Sequence, residues 1–250
     1  MGLHSGVEWT HATWNPWRGC HKISEGCLNC YMFREQRQYG GDPNKVLRSK
    51  TTFDAPLKWK AKGELAPGSR IFTCSWSDFF IEEADKWRDE AWEIIRLTQE
   101  YWYLVLTKRS KSMLDEFTIM LGEGGVPKNV VWMVTTENQR TFEIHVPLLL
   151  NMKELEPSIQ IGLSVEPMLG RIDASKYIDL GIDWVIIGSE SGHNRRPCKH
   201  DDVRFLRDQV KAAGIPLFIK QLEMDRGLAK MPSFDGKTWD EIPERLKEVA

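Results

Sequence analysis

Residues 130–135 read Val-Val-Trp-Met-Val-Thr, an unbroken apolar run that ends in a threonine. A run that is continuous rather than alternating is typical of a strand buried on both faces of a parallel sheet. Weaker strand character occurs at 7–14, and further runs of the same kind lie at 71–76, 103–107, 159–165, 184–187 and 217–220. We interpret these runs as the strands of one parallel sheet.

Helix-like segments separate the predicted strands. Residues 82–100 carry apolar side chains near a 3.6-residue period, residues 201–213 begin with an aspartate that can cap a helix, and a further helix is expected at 29–39. Strands that alternate with helices at this spacing are joined by right-handed crossovers. The sequence therefore predicts an α/β fold with a parallel sheet, either open or curled into a barrel. The segment 40–70, rich in Gly, Pro, Lys and Asp, is interpreted as a long connection.

Length and composition narrow the class of protein. A chain of 250 residues suits a single domain over 1–250, and its formal net charge of −2 gives no global basic field that would attract nucleic acid or an anionic membrane. We find no signal peptide and no apolar stretch near the ~18 residues of a membrane helix, so a cytoplasmic protein without membrane contact is expected. Five cysteines in that compartment indicate metal or redox chemistry rather than disulfides.

Polar side chains follow the predicted strands at the point where each strand ends. The carboxyl ends of parallel strands meet at one mouth of a barrel, where active sites lie. These residues therefore predict a functional mouth. They are Ser75, Ser77, Asp78, Lys108, Arg109, Thr136, Glu137, Asn138, Ser164, Glu166, Ser189, Glu190, Ser191, Lys220 and Gln221.

Three cysteines, Cys20, Cys27 and Cys30, lie in a predicted ligand loop at 15–31. Two residues separate the last two, so their thiolates can reach one metal or cluster from a tight turn. Three thiolates suit a four-iron cluster with one iron that lacks a protein ligand, whereas most electron-transfer clusters use four cysteines. Such an open iron can bind the amino and carboxylate groups of S-adenosylmethionine, and electron transfer from the cluster then yields a radical that abstracts hydrogen from a substrate.

Zinc is the main alternative, with His11 or His21 completing a tetrahedral Cys₃His site. Spacing alone does not separate zinc from a cluster, but the position of the motif before the first helix of an α/β domain favours the cluster. The two remaining cysteines have simpler interpretations, because Cys74 lies in a predicted strand and Cys198 in a polar loop.

Two other functions stay open. In the first, the protein is a barrel hydrolase in which Glu166 and Glu190 form the acid/base pair and zinc is structural. In the second, it is a non-catalytic nucleic-acid-binding protein that uses zinc, basic loops and tryptophan stacking.

Several motifs are specific in combination. They are Trp9-Thr-x-x-Thr-Trp-Asn-Pro-Trp, Gly-Cys…Gly-Cys-x-x-Cys-Tyr, Leu106-Thr-Lys-Arg, Ser164-Val-Glu-Pro-Met-Leu-Gly and Gly188-Ser-Glu-Ser-Gly. Together these motifs resemble a family of phage and bacterial proteins of unknown function with a three-cysteine motif. That family is similar to a divergent branch of the radical S-adenosylmethionine superfamily. The resemblance implies a partial, TIM-like (β/α) barrel, a [4Fe-4S] cluster on Cys20, Cys27 and Cys30, and S-adenosylmethionine as cofactor. The chain departs from the superfamily in two features. Six residues separate its first two cysteines and two separate the last two, and Ser75-Trp-Ser-Asp stands where Gly-Gly-Glu is usual.

The resemblance extends to expectations for the mouth. The candidates for contact with the methionine end and adenine edge of the cofactor are Tyr31, Ser75, Ser77 and Asp78. Thr136 and Glu137 are candidates for its ribose, and Glu166, further round the mouth, is also expected to bind the cofactor.

The substrate end of the mouth is expected near the turn at 188–196. Glu190 is the candidate catalytic residue, as a hydrogen-bond partner or proton acceptor. The alternative is that Glu190 pairs with Arg195 or Arg196 and only pins the turn. Arg195 and Lys220 are placed to meet an anionic substrate. The expected partners are a small molecule or nucleotide, by analogy a nucleobase of phage DNA, an external electron donor and, as a further option, nucleic acid.

Overall fold

The computed structural model describes residues 2–123 and 125–247. Residues 1, 124 and 248–250 of the predicted 1–250 domain lie outside the described residues. The main sheet has eight strands in the order β1-β4-β5-β6-β7-β8-β9-β10. Their bounds are β1 Ala12–Trp14, β4 Arg70–Thr73, β5 Trp102–Thr107, β6 Val130–Thr135, β7 Gln160–Val165, β8 Trp184–Gly188, β9 Leu217–Met224 and β10 Gly227–Lys230. Two small pairs lie apart from it, β2 Trp17–Arg18 with β3 Leu47–Arg48 and β11 Ser233–Phe234 with β12 Lys237–Thr238.

The sheet is mostly parallel and curls into a half-barrel. The seven strands β1, β4, β5, β6, β7, β8 and β9 run parallel to one another. The last strand, β10, runs antiparallel to β9 and extends the edge of the sheet. The predicted α/β class and parallel sheet are therefore confirmed, and of the two shapes left open the curled one is present.

Within the described residues, six α-helices accompany the strands. Their bounds are α1 Tyr31–Gln38, α2 Ala55–Lys62, α3 Asp85–Leu97, α4 Ser110–Gly122, α5 Gln139–Leu155 and α6 His200–Ala212. Helix α5 begins at a capping box, in which the Asn138 side chain accepts from the backbone N–H of Thr141 at 3.1 Å. The aspartate predicted to cap α6 lies inside its first turn instead, because the helix begins one residue earlier and Lys199 is the N-cap.

Apolar side chains fill both faces of the sheet. On the helix side, strand residues such as Trp132 and Val134 pack with helix residues such as Phe117 and Phe142. Alternate strand residues form a second cluster on the concave face with two residues from outside the strands, Trp9 and Leu246. The strand residues are Phe72, Trp102, Leu104, Val131, Met133, Trp184, Ile186 and Phe218. Burial on both faces explains why the strands are continuous apolar runs in the sequence.

Two segments differ from the sequence-based expectation. The connection at 40–70 contains β3 and the two-turn helix α2. Pro56 lies in the first turn of α2, and Gly63 caps its end in the left-handed region, with φ of 62°. The run at 71–76 leaves the sheet after Thr73, because Cys74 takes a positive φ of 62°. Cys74 is buried in the core as expected, and its backbone N–H donates to the carbonyl of Trp14 at 2.8 Å.

None of the helices in the described ranges has the length and apolarity needed to span a membrane.

Candidate functional site

A cavity of about 410 Å³ lies at the carboxyl ends of the parallel strands. Its volume falls within the range of small-molecule and cofactor sites, roughly 300–1,000 Å³. The three cysteines of the predicted ligand loop line it together with side chains from the ends of β4, β5, β6, β7 and β8 and with Lys220, which lies inside β9 because that strand continues to Met224, beyond the predicted end at 220. The predicted site residues that line the cavity are Cys20, Cys27, Cys30, Tyr31, Ser75, Ser77, Asp78, Glu166, Glu190 and Lys220.

Three predicted site residues lie away from the cavity surface. Thr136 and Glu137 are fully buried behind its wall. Arg195 pairs with Glu223 instead of lining the cavity. Contact between Thr136 or Glu137 and a ligand would therefore require movement of the residues that cover them.

Hydrogen bonds to the start of α1 and to the residues after β4 fix the cysteine loop. Gly19 donates its backbone N–H to the carbonyl of Trp76 at 3.0 Å, and its own carbonyl accepts the Ser77 hydroxyl at 2.6 Å. Its φ of 94° and its approach to the backbone of Lys45, where a Cβ would overlap the carbonyl, both require glycine. At the other end, the Tyr31 hydroxyl donates to the carbonyl of Ser75 at 2.6 Å.

The thiols of the loop are half-buried and free. Burial raises the pKa of Cys20 to about 12, Asp78 adds to the increase, and the Arg109 guanidinium, 3.8 Å from the sulfur, opposes it. Burial also raises the pKa of Cys30. Thiols in such surroundings are poor free nucleophiles, whereas a coordinated metal ion deprotonates a thiol outright. The chemistry of this donor set fits metal ligation better than covalent catalysis.

Within residues 2–123 and 125–247, no three His, Cys, Asp or Glu side chains converge closely enough to hold one metal ion. The two histidines proposed as a fourth zinc ligand have other partners. His11 Nδ1 accepts from the backbone N–H of Arg70 at 2.9 Å, and His21 pairs with Glu83.

Asp78 is enclosed by donors at the end of β5. One carboxylate oxygen accepts from the Phe80 backbone N–H at 3.0 Å and the Thr107 hydroxyl at 2.6 Å. The other accepts from the Lys108 backbone N–H at 3.1 Å and pairs with Arg109 at 3.1 Å. Both oxygens of this cavity-lining residue are thus already engaged within the protein.

Contacts within the protein also hold Glu190. They include a pairing with Arg196, which the sequence offered as the alternative to a catalytic role. Glu190 Oε2 accepts from Asn29 Nδ2 at 2.9 Å and from the Arg196 backbone N–H at 2.8 Å, and Arg196 also pairs with it through its guanidinium. Burial by itself raises the pKa of Glu190, but the bonds from Arg196 and Asn29 outweigh it, so that the pKa lies below its usual value. The carboxylate is therefore ionised at neutral pH.

Glu166 and Lys220 form an ion pair inside the cavity. Their side chains are 18% and 16% exposed, so the pair is largely withdrawn from bulk solvent. Gly188 on the next strand permits this position, because a Cβ there would lie 3.2 Å from the Glu166 carboxyl carbon. The pair does not touch the cysteine loop by any described hydrogen bond or ion pair, and it remains a candidate for ligand contact.

A family model described as "Protein of unknown function (DUF5131)" matches residues 4–243. The chain belongs to this family. The match confirms the expected membership of an uncharacterised family. No curated protein and no solved structure shows significant similarity to the chain. The function must therefore be argued from the site, because a fold by itself does not specify a reaction.

Some residues that shape the site were not assigned a role from the sequence. Asn15 donates to the Ser75 hydroxyl at 3.0 Å and accepts from the Trp76 backbone N–H at 2.8 Å, which anchors the segment after β4. Ser24 and Asn29 fasten the cysteine loop to residues far away in the chain. All three lie within the stretches that the quoted cysteine and Trp-Asn-Pro-Trp motifs span, and this position was the sequence signal that could have identified them.

Proposed function

We propose that this protein is an iron–sulfur enzyme of the radical S-adenosylmethionine type, with its cluster on Cys20, Cys27 and Cys30. One observation carries the proposal: the three thiols of a single loop line the same cavity as the polar strand ends of a parallel half-barrel. In parallel (β/α) architectures this is the edge where catalytic groups assemble.

The arrangement of the donors supports a cluster over a single ion. A zinc site needs four ligands that converge on one point. A four-iron cluster instead places each cysteine on a different iron, so the thiolates need only face a common space. The three cysteines face such a space, and the histidines that zinc would require are bound elsewhere.

When bound, the cluster supplies the electron that cleaves S-adenosylmethionine, and an external donor replenishes it. The protein's own residues bind the cofactor and the substrate and orient them. Tyr31, Ser75 and Ser77 remain the proposed neighbours of the methionine end and adenine edge, since they border the cavity beside the cysteines. Tyr31 and Ser77 donate their hydroxyl protons to backbone carbonyls, so each offers its oxygen as an acceptor.

The Glu166–Lys220 pair is the proposed contact with substrate. Trp9 and Phe72, whose rings lie 4.9 Å apart, supply an apolar wall of the same cavity. A charged pair and aromatic side chains in one cavity suit a planar ligand with polar or anionic groups, such as a nucleobase or nucleotide. Lys220 would approach the anionic or carbonyl oxygens of that ligand, and Glu166 its N–H groups.

The metal content of anaerobically purified protein tests the proposal directly. We expect brown protein with iron–sulfur absorbance and about four iron and four sulfide per chain. Colourless protein that carries one zinc per chain would contradict the proposal and favour the zinc-containing alternatives.

Cofactor cleavage is the second expected result. Reduced, cluster-loaded protein incubated with S-adenosylmethionine should slowly release 5′-deoxyadenosine even without substrate, because the proposed cofactor site is the cavity that the cysteines line. Chromatography of the products measures the release, and the same sample without reductant is the control. A fully loaded and reduced cluster that leaves S-adenosylmethionine intact would indicate plain electron transfer or a structural cluster.

A further inference from the structure

Two buried carboxylates meet the cysteine loop from strand ends on either side of β7. Glu137 follows β6 and is fully buried, and Glu190 follows β8 and is 5% exposed. Glu137 contacts the residues before Cys27, whereas Glu190 contacts the residue before Cys30. Together they bracket Cys27.

Glu137 supports the first side of the loop. Its Oε1 accepts the Ser24 hydroxyl at 2.5 Å and lies 3.3 Å from Lys108 Nζ. Gly26 lies directly on this side chain, so that a Cβ at Gly26 would overlap the Glu137 carboxyl group. The Ser24 hydroxyl is in turn 3.5 Å from the Cys27 sulfur. The contact therefore sets both the height of the loop above the sheet and the position of one thiol.

The backbone at Glu137 is itself firmly held. Its N–H donates to the Thr141 hydroxyl at 2.8 Å, within the capping box of α5, and its carbonyl accepts from Leu169 at 2.7 Å. Among the described residues, Glu137 Oε2 has no hydrogen-bond partner. Stability alone does not explain a buried carboxylate with one free oxygen, because burial of an incompletely satisfied charge is costly.

Glu190 supports the second side. Asn29, between Cys27 and Cys30, donates to Glu190 Oε2 at 2.9 Å and to the carbonyl of Asn194 at 2.9 Å. One amide group therefore joins the loop both to the strand end and to the turn that follows it. Arg196 secures the carboxylate from the other direction.

We propose that Glu137 and Glu190 are positioning residues of the cysteine loop, which hold both sides of Cys27 in place before the cluster binds. The inference rests on the proposed function in taking this loop as the ligand loop. Outer residues that orient metal ligands are typically needed for full affinity, and their loss costs about 10- to 100-fold in metal affinity or activity.

The loop side of each contact gives the cleanest variants. Ser24→Ala and Asn29→Ala each remove one donor to a carboxylate and leave the buried carboxylates unchanged. Leu28→Ala is the matched control, since this side chain belongs to the same loop but is 59% exposed. Glu137→Gln and Glu190→Gln test the same contacts from the side of the sheet. Their control is Glu241→Gln, which removes a paired carboxylate at the opposite end of β9, where Glu241 binds Lys211 at 2.7 Å.

The first measurement uses metal-free protein. Iodoacetamide labelling, mapped by peptide mass, should be faster at Cys27 and Cys30 in the four contact variants than in the wild type and both controls. Cys74, which is buried in the core, should stay protected and so report that the fold is intact. The pair Ser24→Ala and Glu137→Gln should be non-additive, because both alter the same Ser24–Glu137 contact, the first by removing its donor and the second by removing the charge on its acceptor.

The second measurement uses protein reconstituted with iron and sulfide and challenged with a chelator. Iron binding should weaken about 10- to 100-fold in the contact variants and stay at the wild-type value in the controls. Equal labelling and equal iron retention in all variants, with Glu137→Gln or Glu190→Gln losing only 5′-deoxyadenosine release, would overturn the inference and place the carboxylates on a ligand. Faster labelling of the contact variants in a protein whose wild type binds no iron would support the positioning role and reject the cluster.

Discussion

Replacing Cys20, Cys27 or Cys30 by Ala should abolish the proposed cluster in each case. With three thiolates on three different irons, the loss of one leaves only two protein ligands, and the loop offers no substitute, because the neighbouring His21 is paired with Glu83. Iron and sulfide per chain and the visible spectrum, measured after anaerobic reconstitution, should fall from about four of each to near zero.

The other two cysteines provide the controls. Cys74 also lines the cavity, so Cys74→Ala is the sharper of the two, and Cys198 packs against the core outside the cavity lining. Both variants should keep the wild-type iron content. If Cys74→Ala lost the cluster as completely as the loop variants, the ligand set would have been assigned wrongly.

The strands were the most predictable feature of the fold. Each apolar run of the central sheet, such as 130–135, became a strand because both faces of the sheet are covered, so that burial alone determines the pattern. Strand β10 and helix α2 were not predicted. The first is a short, partly exposed edge strand. The second has eight residues, of which three are lysines and only Ala55, Pro56 and Trp59 are buried, so neither shows a strong hydrophobic period.

The location of the site was also predictable, but the partners of its residues were not. Parallel strand ends meet at one edge whatever the details of the loops, which is why eleven of the fifteen polar residues predicted at strand ends line one cavity. Whether a carboxylate at that edge faces a ligand or the protein depends on contacts across large sequence separations. Ser24 and Glu137 are 113 residues apart, and Asn29 and Glu190 are 161 apart. Hydrophobic periodicity carries no information about such pairs.

Asp78→Ala should lower the stability of the whole domain strongly. The carboxylate is only 6% exposed and joins the segment after β4 to the end of β5 through Phe80, Thr107 and Lys108. Its removal also leaves the Arg109 guanidinium without its acidic partner. Breaking a buried pair of this kind costs about 3–5 kcal/mol in the free energy of unfolding. For a domain of this size the melting temperature should fall by roughly 6–20 °C.

Thermal unfolding of the metal-free protein measures this effect separately from any cofactor. Asp115→Ala is the matched control, because Asp115 pairs with Lys111 at 2.7 Å on the surface of α4 and its side chain is 57% exposed. Exposed pairs of this type contribute about 0.3–0.5 kcal/mol, so that variant should melt close to the wild type. An Asp78→Ala protein that also melts near the wild type but no longer binds S-adenosylmethionine would contradict the structural role. Its carboxylate would then be a cofactor ligand, as the resemblance implied, and the four contacts to the protein would contribute little to stability.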